Sequence, residues 1–409
     1  TTPLPRWRGS RSGWTHPPNN TSSMLSLWLP QQSRGWGLLR VARCTDTSQT
    51  PLHPAPGHLD APHALVLYHW PCTDGVFGAF GAYLYHKRTQ RPVAFVPNAV
   101  TAPPRVQDLP ITKDTHTVYL VDYVGPPGFV QDLATAHPHV HVVVLDHHKT
   151  AVALLVEPYQ HLDKHQQLPT NVEVHLDMER SGATLSWDYF AHKLEQERNL
   201  EAGKGGLALA GGSAVLLGRL QRMFRYVEDS DLWRWSDLDS GSFVSGLSDL
   251  HLNYHANANR GIFEQLCALD PDHLISVGAE SRKIRDARVT ILANQACVVH
   301  LGGPDSGMGS CLGCILPPQD SGLRSLLGNM LALKSKECGL RSIGVVAYED
   351  PSLAEGLIKV SLRSVGEEDD TTVISEKFQG GGHKKASSCS IPLQDFKNLW
   401  WTATQPASP

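Results

Sequence analysis

Short apolar runs, separated by polar or helix-length segments, recur between residues 64 and 148. They read ALVLYHW, PVAFV, THTVYLVDYV and VHVVVLDHH. The segment VFGAFGAYLYHKR, between the first two runs, has the length of a helix. Buried parallel strands carry nearly continuous apolar side chains because helices cover both faces of the sheet. The pattern therefore predicts an α/β fold with a mostly parallel, doubly wound sheet.

The remaining pattern predicts a second α/β unit. SGATLSWDYFAHKLEQER and VLLGRLQRMFRYVEDSDLW are interpreted as helices. ACVVHLGG, IGVVAYED and LIKVSLRSVG are interpreted as strands, with the helix SGLRSLLGNMLALKS between the first two. We predict an extension over 1–60, a first domain over 61–250, a helical connector over 251–285 and a smaller α/β domain over 286–400.

The first sixty residues differ from the rest, with six arginines and one acidic residue in the first fifty. The stretch that begins at Met24 is basic, hydroxyl-bearing and free of acids, as organelle transit peptides are. We predict a mitochondrial or chloroplast location on this basis. If the stretch is only a disordered extension, the expected location is cytoplasmic.

Composition restricts the classes of partner. The chain has 409 residues, of which 41% are hydrophobic, and a formal net charge of −4. This length allows two cores, and the charge favours a small or short phosphorylated ligand over long duplex nucleic acid. No apolar run approaches the ~18 residues of a membrane span. Cys311 and Cys314 lack a second pair at zinc-finger spacing, so we predict a loop turn with ordinary thiols.

Acids and histidines follow the predicted strands. Asp122 and Asp146 lie at the ends of their runs, and ligands collect beyond the carboxyl ends of parallel strands. In Asp146-His147-His148, strand alternation sends the two imidazoles to different sides. This predicts that one binds metal and the other faces substrate, with Asp146 fixing an imidazole tautomer.

Further candidate ligands lie near the first strand and after the helical insert. They are His69, Cys72, Asp74, Asp229 and Asp231. Mixed carboxylate and imidazole ligands suit Mn²⁺ or Mg²⁺ better than structural zinc, whereas a Cys72 thiolate would favour Zn²⁺ or Fe²⁺. Two such ions can hold a phosphoryl group and generate hydroxide.

The segment Gly380-Gly381-Gly382-His383-Lys384 is the second distinctive motif. Glycines allow positive φ and close backbone approach, and successive N–H groups can form an anion-binding nest. A flexible glycine turn is the alternative interpretation. Trp233 and Trp235 are predicted to pack in the core, with base stacking as the alternative.

These motifs, in this order, resemble the DHH phosphoesterase superfamily with a C-terminal DHHA1 domain, over residues 65–391. The group includes RecJ-type nucleases, nanoRNase/pAp phosphatases and cyclic-dinucleotide phosphodiesterases. The resemblance implies two domains with a cleft between them. It also implies a metal-dependent hydrolase that cleaves phosphodiester or phosphomonoester bonds in nucleotides or short single-stranded nucleic acids. We expect no membrane partner, and homodimerisation stays open.

The resemblance also implies residue roles. Asp74, Asp122, His147 and one acid of Glu228–Asp231 would bind metal, with Asp122 as the bridge and Asp229 preferred over Asp231. His148 would face the phosphate with Asp146 as support, and Arg363 would contact the phosphate with both arms of its guanidinium.

The first motif departs from the family pattern. Cys72-Thr-Asp74 replaces the usual Asp-x-Asp, and His69 lies three residues before Cys72 instead of four before an aspartate. One tightly bound and one weakly bound ion is therefore an expectation. Two alternatives remain: a non-catalytic nucleotide-binding protein in which Cys72 marks a decayed site, and a phosphatase of a non-nucleotide phosphate such as pyrophosphate.

Overall fold

The structure is a computed structural model that describes residues 62–99, 102–159, 168–202, 214–351 and 353–401. The predicted extension, including the stretch compared with transit peptides, lies outside the described residues. No helix within the described ranges is long and apolar enough to cross a membrane.

A five-stranded sheet forms the first unit. Its strands are β1 (Ala64–His69), β2 (Val93–Asn98), β3 (Thr117–Val121), β4 (His141–Asp146) and β5 (Val172–Leu176). All of its pairings are parallel, in the order β2-β1-β3-β4-β5. The predicted parallel sheet is confirmed. β5 was not predicted, because VEVHL is a half-buried edge strand whose apolar positions alternate with Glu173 and His175.

Helices cover both faces of this sheet. They are α1 (Thr73–Thr89), α2 (Phe129–Ala136), α3 (Lys149–Leu155), α4 (Gly182–Ala202) and α5 (Ala214–Asp231). Val66 and Tyr68 of β1 pack in the same core as side chains of α1, α4 and α5. Leu65 and Leu67 face the opposite core, which is closed by α2 and α3. The doubly wound arrangement follows from this alternation.

A run of helices leads to the second sheet. These are α6 (Ser240–Asp249), α7 (Ile262–Ala268) and α8 (Pro271–Ala293). The last of them, α8, continues to Ala293, beyond residue 285, where the connector was expected to end.

The second sheet has six strands and mixed pairing. They are β6 (Cys297–His300), β7 (Ser310–Ile315), β8 (Ile343–Tyr348), β9 (Leu357–Ser364), β10 (Gly381–His383) and β11 (Ala386–Pro392). The order is β10-β11-β9-β8-β7-β6, and only β7 and β8 are parallel. The helices of this part are α9 (Arg324–Glu337), α10 (Thr372–Ser375) and α11 (Leu393–Asp395).

Two local predictions are wrong. Cys311 and Cys314 lie in the buried strand β7 instead of a loop turn, and they pack in different cores because three positions along a strand place them on opposite faces. The glycine motif is not a loop either. Gly381 and Gly382 belong to β10, which forms a hairpin with β11.

Candidate metal centre

Asp122 lies at the centre of a carboxylate and imidazole cluster beyond the ends of β1, β3 and β4. It follows β3 in a left-handed backbone conformation, with φ of 53°. Its Oδ1 lies 3.1 Å from His147 Nε2, and its Oδ2 lies 3.2 Å from His69 Nδ1. The two oxygens of one carboxylate therefore face two different imidazoles.

Asp74, in the first turn of α1, is fixed by the N-terminus of α4. Its carboxylate accepts hydrogen bonds from the N–H groups of Gly182 (2.6 Å) and Ala183 (3.0 Å). A Cβ atom on Gly182 would come within 2.8 Å of Asp74 Oδ2 and 2.7 Å of Asp122 Cβ, so this position requires glycine. Asp74 Oδ2 lies 3.4 Å from His147 Nε2 and thus joins the cluster.

Asp146 organises the two histidines that follow it. Its Oδ1 accepts the backbone N–H groups of His147 (2.6 Å) and His148 (2.9 Å) and lies 2.7 Å from His148 Nδ1. β4 ends at Asp146, so strand alternation does not separate the imidazoles, whose ring centres are 4.7 Å apart. They differ in their partners instead: His147 Nε2 faces the carboxylates, and His148 is held by Asp146.

The structure brings Asp231 to the cluster and places Asp229 elsewhere, the reverse of the preference drawn from the sequence. Asp231 Oδ2 lies 3.6 Å from His147 Nε2 and has no hydrogen-bond partner. The Asp229 carboxylate accepts hydrogen bonds from Ser236 and Ser240 and from the backbone of Asp237. It is therefore a structural group of the loop after α5.

Residues of the second sheet face the same cluster. The His383 ring stacks on His148 at 4.4 Å between centres. Arg363 donates hydrogen bonds to Ser325 Oγ, Ser361 Oγ and the Leu362 carbonyl, while its Nε has no partner. No acidic side chain forms an ion pair with Arg363 among the described residues.

The glycines and Lys384 make fewer contacts with the cluster than their predicted anion-binding role suggested. Gly380 and Gly382 allow β10 to approach β11, since Cβ atoms there would meet the Ser388 carbonyl oxygen at 2.1 Å and that of Ala386 at 2.5 Å. The hairpin thereby places His383 against His148. Lys384 is exposed and does not reach the cluster.

A cavity of about 1190 Å³ connects these groups. Its lining includes the metal-ligand candidates from the first sheet, together with Arg363 and His383 from the second. Trp233 and Trp235 also line it and are half-buried, so their predicted core position is wrong. The sequence did contain a signal for this position, because both tryptophans come directly after the helix end that carries Asp231.

Burial and charge set the protonation of the cluster. Burial, with the nearby Asp231 and Asp122, raises the pKa of Asp74 to about 8. Burial lowers the pKa of His147, but the hydrogen bond to Asp122 and the surrounding carboxylates outweigh it and raise the value to about 11. Burial and the neighbouring His148 lower the pKa of His383 to about 3, so its ring is neutral.

The cluster has the chemistry of a metal centre. Three ligand sets share Asp122: the first is Asp74, Asp122 and His147, the second is His69, Cys72 and Asp122, and the third is Asp122, Asp146 and His148. The ligand atoms within each set lie within 4.8 Å of one another. No lysine or arginine pairs with Asp74, Asp122 or Asp231 in the described part of the chain. A divalent cation would replace the protons held by Asp74 and His147 and would coordinate the unpaired oxygen of Asp231.

The fold and site define an α/β protein with a buried carboxylate and histidine cluster between two sheets. A comparison with protein-family models gives no match, and a comparison with curated proteins gives none. The solved structures that are similar in fold include the following three. CDC45 from Entamoeba histolytica has 11% identity over 83% of this chain and 94% of that chain, with a TM-score of 0.43. An exopolyphosphatase-related protein from Bacteroides fragilis has 12% identity, coverages of 81% and 87%, and a TM-score of 0.42. Exonuclease RecJ bound to manganese has 14% identity, coverages of 82% and 88%, and a TM-score of 0.39. At this similarity the function is inferred from the site itself.

Proposed function

We propose that this protein is a metal-dependent phosphoesterase that hydrolyses phosphodiester or phosphomonoester bonds of nucleotides or short oligonucleotides. One observation carries the proposal: among the described residues, carboxylates with no lysine or arginine partner and a guanidinium with no acidic ion-pair partner line the same cavity. A divalent cation complements the first group and a phosphate complements the second. Because both groups line one cavity, a metal ion and a phosphate could bind there next to each other.

We assign two metal positions from the ligand sets that contain Asp74 and Cys72. Asp74, Asp122, His147 and Asp231 would hold one Mn²⁺ or Mg²⁺ ion, and His69, Cys72 and Asp122 would hold a second. When bound, such ions activate water and neutralise the phosphoryl oxygens. Because Cys72 is a soft ligand, we expect the second position to prefer Zn²⁺ or Fe²⁺ and to bind Mn²⁺ weakly.

The remaining residues bind and orient the phosphate. Asp146 accepts the Nδ1–H of His148; burial lowers the pKa of this ring, but the charge and hydrogen bond of Asp146 outweigh it and raise the pKa, so that the protonated ring would donate from Nε2 to a substrate oxygen. His383 is neutral and stacks on His148, so it fixes the ring plane without adding charge. Arg363 would bind the non-bridging oxygens of the phosphate through its guanidinium.

The cavity also supports the proposed domain organisation. We assign a catalytic domain to residues 61–250 and a substrate-binding domain to 286–400, linked by helices over 251–285. Lys149 of α3 contacts Asp370 (3.5 Å) and Thr372 (3.3 Å) near the second sheet, so the two units meet beside the cavity. A cavity of about 1190 Å³ accommodates a nucleotide between them.

A substrate panel tests the proposal. Purified protein is assayed with Mn²⁺, Mg²⁺ and Zn²⁺ against short RNA, short DNA, bis(p-nitrophenyl) phosphate and pyrophosphate. We expect metal-dependent cleavage of at least one nucleotide ester and its loss in His147→Ala. The proposal is wrong if no phosphate ester is cleaved with any metal, or if His147→Ala and Asp122→Ala both retain full activity. Hydrolysis of pyrophosphate alone would favour the non-nucleotide alternative.

A further inference from the structure

The loop between α5 and α6 presents two tryptophans to the cavity. Their ring centres are 4.9 Å apart, with 54° between the ring planes. The φ angles of Trp233 and Trp235 are 53° and 47°, both in the left-handed region that bulky residues avoid. Strained conformations of this kind persist only where the surrounding structure enforces them, and they concentrate at ligand-binding sites.

Core packing does not account for this strain. Neither tryptophan belongs to any of the four hydrophobic clusters formed by the described residues, whereas Trp187 and Trp400 do. Both rings are half-buried in the cavity wall. The fold therefore holds two aromatic side chains in strained positions without placing them in the interior.

Asp229 enforces the loop. Its carboxylate accepts hydrogen bonds from the N–H (2.9 Å) and hydroxyl (2.5 Å) of Ser236 and from the hydroxyl of Ser240 (2.5 Å). Its carbonyl oxygen accepts the N–H groups of Arg234 (2.9 Å) and Trp235 (3.3 Å). One buried residue thus ties both ends of the loop to the end of α5, and the aromatic pair is held in one geometry.

Arg363, the residue proposed to bind phosphate, lies beside the two tryptophans. The guanidinium carbon of Arg363 is 5.9 Å from the centre of the Trp233 ring. Asp231, which faces His147, precedes Trp233 by two residues. A phosphate held by Arg363 would therefore have an aromatic surface on one side and the metal ligands on the other.

We propose that Trp233 and Trp235 form a stacking platform for a nucleobase, so that the site selects phosphate esters that carry a base over those that do not. This inference rests on the proposed function and specifies its substrate class. Aromatic side chains stack with bases of any sequence, and the loss of one such ring weakens binding by about tenfold or more. The platform would therefore favour nucleotides in general instead of one base.

The test compares two ligands that differ only in the base. Dissociation constants for AMP and ribose 5-phosphate are measured by calorimetry on the full protein in EDTA, where neither is hydrolysed. We expect AMP to bind at least about tenfold more tightly, and Trp233→Leu to remove most of this ratio. Trp233→Tyr retains a ring and should keep most of it. Trp401→Leu, at a half-buried tryptophan outside the cavity, is the control and should keep the ratio.

The outcomes separate this inference from the proposed function. Equal affinities for the two ligands in the wild type, or an equal loss of both in Trp233→Leu, would overturn the platform and leave a structural loop. Base-selective binding with no hydrolysis of any ester would keep the platform and reject the phosphoesterase. Hydrolysis of esters with no preference for a base would do the opposite.

Discussion

The carboxylates beyond the five-stranded sheet and the guanidinium of the six-stranded sheet face one cavity with opposite charge. Arg341 of the second unit, by contrast, forms an ion pair with Asp369 at 2.8 Å. At the cavity, the only ion-pair partners of Asp74 and Asp122 among the described residues are imidazoles, and Arg363 donates to hydroxyl and carbonyl acceptors. Unpaired buried charges are costly, so this contrast indicates sites prepared for a cation on one side and an anion on the other.

The largest effect is expected on the carboxylate side. Asp122→Asn should reduce kcat/KM for the cleaved ester by about a thousandfold or more, because it weakens the shared ligand of both metal positions. Asparagine tolerates the left-handed backbone at this position, so the fold should persist. Steady-state kinetics and metal analysis check this, with the exposed Asp114→Asn as control. Full activity in Asp122→Asn would contradict the bridging role.

The next test compares two acids of the same helix end. Asp231→Asn should lower kcat/KM by about a hundredfold with little change in thermal stability, because it removes a metal ligand. Asp229→Asn should instead lower the free energy of unfolding by about 1–3 kcal/mol, since it weakens several hydrogen bonds to a buried carboxylate. Denaturant unfolding and metal titration of both variants check the assignment. If Asp229→Asn abolishes metal binding and Asp231→Asn does not, the assignment is reversed.

Substitutions of Arg363 should weaken substrate binding more than they reduce the amount of bound metal. Arg363→Ala is expected to raise KM by about ten- to a hundredfold and to leave metal content unchanged, because we propose that the guanidinium binds phosphate and not metal. Arg363→Lys should recover only part of this, since lysine lacks the planar fork. Arg324→Ala, at a guanidinium that lies over Tyr348, is the control. A loss of bound metal in Arg363→Ala would mean that the two sides are not separate.

Substitutions of Cys72 test whether a soft thiolate ligand sets the metal preference of the second position. Cys72→Asp restores a carboxylate and should raise the affinity of the second position for Mn²⁺ by about tenfold while lowering that for Zn²⁺. With Co²⁺, the wild type should show a thiolate charge-transfer band in the near ultraviolet that Cys72→Ser lacks. Identical spectra of wild type and Cys72→Ser would exclude the thiolate as a ligand.

The smallest effect is a linkage between pH and metal binding. The raised pKa values of Asp74 (about 8) and His147 (about 11) mean that the folded metal-free protein binds protons more tightly than the unfolded chain does. Its stability should therefore fall as the pH rises from about 6.5 to 8, and the Mn²⁺ affinity should rise over the same range as about one or two protons are released. Calorimetry in buffers of different ionisation enthalpy counts these protons, and no release would contradict the protonation of the cluster.

The sequence predicted the parallel sheet and the convergence of strand ends. Long apolar runs such as VHVVVL indicate buried strands, and acids directly after such runs must lie at one edge of a parallel sheet. The group of His69, Asp74, Asp122 and His147 follows from this rule. The two edge strands were not predicted. β5 alternates between apolar and polar residues, and β10 is only three residues long with two glycines, so neither contains a long apolar run.

The choice between Asp229 and Asp231 could not be made from the sequence. Side chains two positions apart on a helix are rotated by about 200° around the helix axis, so only one of these two carboxylates can face the cavity. Which one does depends on how α5 packs against α1 and α6, and this is set by contacts far apart in the chain. The same applies to Trp233 and Trp235, which have the composition of core residues and are kept out of the core by the loop that Asp229 holds.

By itself, the sequence determined the class of sheet, the strand-end acids and the Asp146-His147-His148 group, because these depend on short-range periodicity and on the common edge of parallel strands. Only the tertiary structure decided the partners of Asp231, the contact of His383 with His148, and the aromatic surface beside Arg363. These depend on side-chain direction and on the approach of two sheets. Neither quantity is encoded within any short segment of the chain.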